Sequence, residues 1–308
     1  MQKYGAIDVG TNSMRILIAE VEAGKIINSH KDLETTRMGE NVDKTGMLSE
    51  QAIERNIQAL KKFCTLAHME GVESFPVIAT SAVRDASNRD SFMKRAKEET
   101  GIHVEVIDGA KEAELGFYGV LQGLKETDEH ILVIDIGGGS TEFIYGNRNG
   151  IQHLVSLNVG AVRMTEKHVT SDPISPSDIQ QMIRDVDDII HQTINQLKKY
   201  DIQRVIGIGG TATSIAAVHQ ELEIYDRDKV HNFDLHTDDV RKVLERFLAR
   251  TLEERMEMKG LHPKRADVIT AGAVILERIL TLLDVAGVRI SEYDNLEGLV
   301  FQQIDRKN

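Results

Sequence analysis

Two short segments carry residue types suited to binding an anion and a divalent cation. Residues 7–15 read IDVGTNSMR, and residues 134–142 read IDIGGGSTE. Three positions recur at an offset of 127: Asp8 with Asp135, Gly10 with Gly137, and Ser13 with Ser140. Glycine lets a tight turn present consecutive backbone N–H groups to a large anion, and a carboxylate beside it suits Mg²⁺. One such turn alone would also fit a flexible hairpin, but the repetition favours two binding turns.

A third glycine-rich element follows much later, where GIGGTATS at 207–214 ends a strand-like run and opens a helix-like one. The N-terminus of a helix attracts anions. The segment is weaker than the duplicated turns, because Gly-Gly is common between strands and helices. It does not match the dinucleotide-binding pattern GxGxxG, since residue 212 is alanine. A Walker-type phosphate loop is also absent from the sequence.

The two turns lie in similar patterns of alternating hydrophobicity, at residues 4–22 and 131–146. Each pattern predicts a strand, a polar turn and a returning strand, followed by the start of a third strand. The rest of the chain alternates between helix and strand patterns. Helices are predicted at 49–69, 88–100, 176–199, 237–250 and 266–284, and strands at FPVIATSAV (75–83) and RVIGIGG (204–210). This interleaving predicts an α/β class.

Length and duplication together predict two domains in the 308 residues. The polar stretch LKETDE at 124–129 is the simplest boundary, giving domains at 1–126 and 127–308. We expect the two halves to face each other across a cleft and the last helix to pack back on the first domain. The duplicated turns would then grip one ligand from opposite sides.

Composition excludes several classes of protein. The net charge of −12 argues against general nucleic-acid binding, and the longest apolar run, VITAGAVIL at 268–276, is too short for a membrane span. A strand-like pattern begins by Tyr4, which leaves no room for a cleavable signal, so we expect a cytoplasmic protein. The single cysteine, Cys64, lies on the apolar face of the helix at 49–69 and is predicted to be core. His231 and His236 have the wrong spacing for one helical face, and no zinc site is predicted.

The order of the motifs resembles one known family. Two Asp-Gly turns and a late Gly-Gly-Thr are similar to the phosphate and adenosine motifs of the actin, hexokinase and Hsp70 superfamily. The narrower resemblance is to the exopolyphosphatase/guanosine-pentaphosphate phosphohydrolase (Ppx/GppA) family. It is carried in family order by IDVGTNSMRILI, RMGENVDKTGMLSEQAI, ATSAVRDASNRDSF, IDIGGGSTEF, SLNVGAVRMTE, GIGGTATS and KRADVITAGAVIL. The resemblance implies two ribonuclease H-like domains of the actin-like ATPase type, without the HD-like third domain of longer members.

The resemblance also implies roles for individual residues. The catalytic residues would be the base Glu112, in DGAKEAEL, and the acidic pair Asp135 and Glu142. The phosphate-binding residues would be Asp8, Gly10, Thr11, Asn12, Ser13, Arg15, Arg84, Gly137, Gly138, Gly139, Ser140, Thr141, Arg163, Gly209, Gly210 and Thr211. The metal ligands would be Asp135, Glu142 and Asp8, holding Mg²⁺ or Mn²⁺, with K⁺ as an additional cation. The resemblance is also compatible with a homodimer.

The implied reaction is hydrolysis of the terminal phosphate of inorganic polyphosphate, with guanosine pentaphosphate as the alternative substrate. Two departures from the family pattern each replace a frequent arginine, at Lys111–Glu114 (KEAE for the frequent EEAR) and at Asn295–Gly298 (NLEG for LREG). They keep open a regulator that binds guanosine polyphosphate without turnover. A nucleotide-dependent chaperone on the same superfamily fold is a further alternative, but no peptide-binding or polymerising element is evident in the sequence. No nucleic-acid or membrane partner is expected.

Overall fold

A computed structural model describes residues 2–124 and 128–306 of the chain. Its strands are β1 (Gln2–Val9), β2 (Met14–Glu22), β3 (Lys25–Glu34), β4 (Val77–Ala79), β5 (Val104–Val106), β6 (Ile131–Ile136), β7 (Thr141–Asn147), β8 (Gly150–Leu157), β9 (Arg204–Ile208), β10 (Asp234–His236) and β11 (Gly287–Ile290). Its helices are α1 (Val42–Thr45), α2 (Glu50–Met69), α3 (Ser81–Asp85), α4 (Arg89–Thr100), α5 (Gly109–Gly123), α6 (Ala161–His168), α7 (Pro176–Leu197), α8 (Gly209–His219), α9 (Arg227–Val230), α10 (Thr237–Leu248), α11 (Leu252–Met256), α12 (Ile269–Leu283) and α13 (Asn295–Asp305), with a 3-10 turn at Pro263–Arg265.

The chain forms two compact units. The first contains Met1–Gly119 and Asp294–Asn308, so α13 belongs to it, and the second is Val120–Tyr293. The predicted boundary between residues 126 and 127 lies outside the described residues, and the domain limits stay a prediction there.

Each unit is built on one sheet, and the two sheets share a topology. In the first unit the strand order is β3-β2-β1-β4-β5; β1, β2 and β3 are antiparallel neighbours, and β4 and β5 run parallel to β1. In the second unit the order β8-β7-β6-β9-β11 repeats this arrangement, with β10 added at the edge. The predicted duplication and the α/β class are confirmed.

Each sheet is packed against amphipathic helices, as the hydrophobic patterns predict. In the first unit the Oγ of Ser49 caps α2 by accepting the N–H of Ala52 at 3.1 Å. The apolar stripe of this helix, including Leu60 and Cys64, is buried in the core of the first unit. In the second unit α7 begins at Pro176 after a Ser175 cap and buries its own stripe beneath the sheet.

Two predicted strands are too long. RVIGIGG ends as a strand at Ile208, and Gly209 and Gly210 begin α8. FPVIATSAV pairs as a strand only over Val77–Ala79, and residues from Ser81 onward form α3. The neighbouring strand β1 ends at Val9, where its turn begins, so the later residues have no strand to pair with. Arg84 follows the predicted strand, and the sharp change of direction places it on α3. Over the described residues, no helix combines the length and apolarity that a bilayer crossing needs.

Candidate functional site

The first predicted turn, in the first unit, joins β1 to β2. It is closed by the N–H of Gly10, which donates to the carbonyl of Ser13 at 3.0 Å. The carbonyls of Thr11 and Asn12 point away from the turn and accept the N–H groups of the segment after β3, each at 2.9 Å. The N–H groups of the same two residues have no backbone acceptor within the described residues. The turn therefore has the polarity that an anion requires.

Asp8 precedes this turn and is buried, with 4% of its surface exposed. Its Oδ2 accepts a 2.6 Å hydrogen bond from Nη2 of Arg15, its cross-strand partner. Its Oδ1 is buried and has no hydrogen-bond partner among the described residues. Burial raises the pKa of Asp8 because it penalises the charged form, and Arg15 only partly opposes this.

Arg15 is shared between two carboxylates. Its Nη1 donates to Oδ2 of Asp294 at 2.5 Å, although Asp294 lies at the start of α13. Burial works against the charge of Asp294, but Arg15 and Lys31 outweigh it and lower the pKa of Asp294 to about 2. The predicted role of Arg15 in binding phosphate stays a prediction, and the structure shows that its two terminal nitrogens contact Asp8 and Asp294.

Glu112 and Arg84, which are 28 residues apart in the chain, meet in the first unit. Glu112 lies in the first turn of α5 and is only 9% exposed. Nη1 of Arg84 donates to Oε2 of Glu112 at 3.2 Å and to the carbonyl of Ile107 at 3.3 Å. The predicted base is thus held by a cation from α3.

The second predicted turn, in the second unit, repeats the closure of the first. The N–H of Gly137 donates to the carbonyl of Ser140 at 3.0 Å. Within the part of the chain that the structure describes, the N–H groups of Gly138 and Gly139 have no backbone acceptor. The hydroxyl of Thr141 donates to the carbonyl of Val159 at 2.5 Å, which ties the turn to the segment before α6.

The start of α6 contacts the carbonyl side of this second turn. The N–H of Ala161 donates to the carbonyl of Gly137 at 2.9 Å, and Nε of Arg163 donates to the carbonyl of Gly139 at 2.8 Å. A Cβ at Gly160 would lie 2.5 Å from the carbonyl carbon of Gly138, so only glycine permits the approach. The carbonyls of the turn are thus bound by protein donors, and the unmatched N–H groups are those that could bind an anion.

Asp135 and Glu142 are directly opposite each other on β6 and β7. Side chains of directly opposed residues lie on the same face of a sheet. Glu142 is 1% exposed, and its Oε1 accepts a 2.6 Å hydrogen bond from the hydroxyl of Ser156. The corresponding pair in the first unit is Asp8 and Arg15. The duplicated hairpins therefore differ here: the first pairs an acid with a base, and the second pairs two acids.

The third glycine element lies against Asp135. Gly209 has φ +76° at the start of α8, and a Cβ there would lie 2.4 Å from Oδ1 of Asp135. The strands β6 and β9 are parallel neighbours, which brings their carboxyl ends together. The hydroxyl of Thr211 donates to the carbonyl of Ile136 at 3.0 Å. At Gly210 any Cβ would overlap the guanidinium of Arg265.

Sequence reasoning missed Asp294, Lys31 and Arg265 as residues near the predicted sites. For Asp294 a signal was present, because D-x-x-E at 294–297 is the pattern of a capping box. Arg265 lies in the family motif KRADVITAGAVIL, but its contact with Gly210 depends on tertiary structure. Lys31 carries no local signal.

The carboxylates are compatible with a hard divalent cation. No cluster of three or more His, Cys, Asp or Glu side chains able to hold a metal occurs in residues 2–124 and 128–306. Mg²⁺ is commonly held by one or two carboxylates together with waters and substrate phosphates. Asp135 and Glu142 on one sheet face meet that requirement, and so does the unmatched Oδ1 of Asp8. Binding of Mg²⁺, Mn²⁺ or K⁺ stays a prediction.

Comparisons with known proteins agree with this geometry. The profile of the Ppx/GppA phosphatase family matches residues 17–307. The protein named exopolyphosphatase 2 of Mycobacterium tuberculosis is 33% identical, over 97% of this chain and 98% of its own length. A bifunctional 3-dehydroquinate synthase/phosphatase of Fusobacterium nucleatum is 38% identical over 98% of this chain, which spans only 46% of that relative.

The crystal structure of an exopolyphosphatase from Cytophaga hutchinsonii has a TM-score of 0.90 with this chain. It is 30% identical, and the match covers 99% of this chain and 98% of the other. The predicted family and its actin-like α/β fold class are confirmed by these matches, which also support a phosphatase activity. The chain belongs to the Ppx/GppA phosphatase family.

Proposed function

We propose that this chain is an exopolyphosphatase, which hydrolyses the terminal phosphoanhydride bond of inorganic polyphosphate and releases orthophosphate. The observation that carries the proposal is the matched pair of turns, each with unmatched N–H groups beside a buried aspartate. The names of two relatives, one from Mycobacterium tuberculosis and one from Cytophaga hutchinsonii, support polyphosphate as the substrate.

Four of the predicted residues have a specific chemical task in this reaction. Phosphoryl transfer to water needs an oriented nucleophile and stabilisation of charge on the phosphate oxygens. The carboxylate of Glu112 accepts a proton from the attacking water, and Arg84 fixes the orientation of that carboxylate. The N–H groups of Gly138 and Gly139 donate to the phosphate oxygens as negative charge develops there.

The predicted divalent cation would be held in the second unit by Asp135 and Glu142. When bound, such a cation neutralises charge on the phosphate oxygens. The position of these two buried carboxylates on one face of the sheet supports this part of the proposal, because Mg²⁺ is commonly held by one or two carboxylates.

The alternative substrate within the same reaction class is guanosine pentaphosphate, since the phosphate-binding groups would be shared. Orthophosphate release should be measured with polyphosphate and with guanosine pentaphosphate, both with Mg²⁺. We expect faster release from polyphosphate. Faster release from guanosine pentaphosphate would make that nucleotide the substrate in place of polyphosphate. No release from either compound would refute hydrolysis as proposed.

Glu112→Gln tests the base and separates a hydrolase from a binding protein. We expect turnover to fall by about 10²–10⁴-fold, the usual contribution of a general base, while polyphosphate binding is retained. Glu114→Gln is the matched control, because Glu114 is an exposed acid two residues away on the same helix. It should keep wild-type turnover. Equal activity of Glu112→Gln and Glu114→Gln would remove Glu112 from the mechanism.

A further inference from the structure

The carboxylate of Asp294 makes two kinds of contact in the first unit. Its Oδ1 accepts the N–H of Leu296 at 3.0 Å and so caps α13, while the N–H of Asp294 donates to Oε2 of Glu297 at 3.0 Å. Its Oδ2 accepts the 2.5 Å bond from Nη1 of Arg15. Asp294 is only 4% exposed, so both contacts are made away from water. One buried side chain thus joins the start of a helix to the predicted phosphate turn.

The backbone at Asp294 is fixed by a close helix crossing. A Cβ at Gly119 of α5 would lie 2.9 Å from the carbonyl carbon of Asp294, and a Cβ at Gly298 of α13 would lie 2.9 Å from that of Leu115. The two helices therefore touch backbone to backbone. The predicted base Glu112 is seven residues before Gly119, on the same face of α5. The start of α13 is consequently held against the helix that carries the predicted base.

Arg15 lies between two of the acids in this cluster, Asp8 and Asp294. Nζ of Lys31 lies 2.9 Å from Oε1 of Glu297 and 3.9 Å from Oδ2 of Asp294. The cluster thus contains two cations, Arg15 and Lys31. They form ion pairs with three carboxylates, those of Asp8, Asp294 and Glu297. A buried charge without a partner is costly, so Asp294 restricts where the guanidinium of Arg15 can lie. Arg15 in turn binds Oδ2 of Asp8 and leaves Oδ1 as the unmatched oxygen.

We propose that Asp294 is a positioning residue for the predicted phosphate turn: it holds Arg15 in place, and Arg15 orients the Asp8 carboxylate. The proposal rests on the proposed function only in taking the turn after Asp8 to bind a phosphate chain. The C-terminal helix is then part of the binding apparatus, although none of its side chains needs to touch the ligand.

The test is a double-mutant cycle on ligand binding. Asp294→Asn removes the charge that holds Arg15 but keeps a side chain that caps helices well. Arg15→Lys keeps a cation but loses the planar fork that bridges two carboxylates. Binding of inorganic tripolyphosphate with Mg²⁺ is measured by calorimetry, with all variants carrying Glu112→Gln to suppress turnover.

We expect Asp294→Asn to weaken tripolyphosphate binding about tenfold, within the range measured for residues in one network. Arg15→Lys should weaken binding by a similar factor. The double variant should bind tripolyphosphate about tenfold more weakly than the parent, so that it is no worse than either single variant. Independent, multiplied effects of about a hundredfold, or no effect of Asp294→Asn, would overturn the proposal. Absence of tripolyphosphate binding in the Glu112→Gln parent would also overturn it, whereas a wild-type chain that binds tripolyphosphate but never releases phosphate contradicts only the proposed function.

A matched control is available in the second unit. Asp187 forms a two-point ion pair with Arg278, at 2.8 and 3.0 Å, and neither residue is a predicted site residue. Asp187→Asn therefore also deprives an arginine of a carboxylate, and we expect it to leave tripolyphosphate binding within twofold of the parent. Thermal unfolding of each variant verifies folding. If Asp294→Asn does not fold, Asp294→Ser, another good helix cap, takes its place in the cycle.

Discussion

Replacing Gly209 with alanine should reduce turnover much more than it reduces stability. The new Cβ would lie 2.4 Å from Oδ1 and 3.4 Å from Cγ of Asp135. Ordinary van der Waals contact begins at 3.4 Å, so Oδ1 has to move by about 1 Å, which rotation of a short side chain can provide. A displacement of that size at a reacting centre costs on the order of 10²-fold in rate. We therefore expect orthophosphate release from polyphosphate to fall about a hundredfold.

The stability effect has a separate cause. At φ +76° an alanine is in the left-handed region, which costs ~1–2 kcal/mol for a residue with a Cβ. Part of this is offset because alanine also lowers the entropy of the unfolded chain. A net loss of about 1 kcal/mol in the free energy of unfolding is expected, measured by urea denaturation.

Gly24 supplies the matched control for this prediction. It has φ +75°, and a Cβ there would meet no atom within 4 Å. Gly24→Ala should therefore lose the same ~1 kcal/mol and keep wild-type turnover. The reasoning is refuted if Gly209→Ala and Gly24→Ala are equally active, because the contact with Asp135 would then have no consequence.

Three further predictions concern other parts of the molecule. Gly119→Ala should lower the free energy of unfolding by ~2–3 kcal/mol in urea denaturation, because its Cβ would meet the backbone of α13; an unchanged unfolding curve would show that the crossing is looser than described. Burial raises the pKa of Cys64 to about 11. Iodoacetamide at pH 8 should therefore alkylate Cys64 slowly in the native protein and rapidly in urea, as measured by mass spectrometry. Equal rates of alkylation would contradict the burial of Cys64. The folded pKa of Asp294 is about 2, below the ~3.9 of an unfolded aspartate. The ionised form of Asp294 therefore stabilises the protein by roughly 2 kcal/mol above about pH 4, and this contribution is lost as the pH falls from about 4 to 2. The stability difference between wild type and Asp294→Asn should accordingly shrink over that range in acid titrations of unfolding, and a constant difference would contradict the lowered pKa.

Local sequence signals were sufficient for the duplicated hairpins. Alternation of apolar residues, with an Asp and a Gly at the turn, predicted β1–β2 and β6–β7 together with their turns. The same holds for α2 and α7, because a serine cap and an apolar stripe are local features. The strand predicted over residues 75–83 was wrong beyond Ala79, since the length of a strand depends on how far its neighbour continues.

The sequence by itself determined the α/β class, the repeated turns and the family motifs, because these depend on residues close together in the chain. Only the tertiary structure decided which charges meet. Arg15 contacts Asp294 across 279 positions, and Arg84 contacts Glu112 across 28. Neither pair has a fixed spacing that a pattern could reveal, since a long-range ion pair follows from how helices and sheets pack. The same physical reason explains why Gly209 and Asp135 touch: their strands are neighbours in the sheet, although they are far apart in the chain.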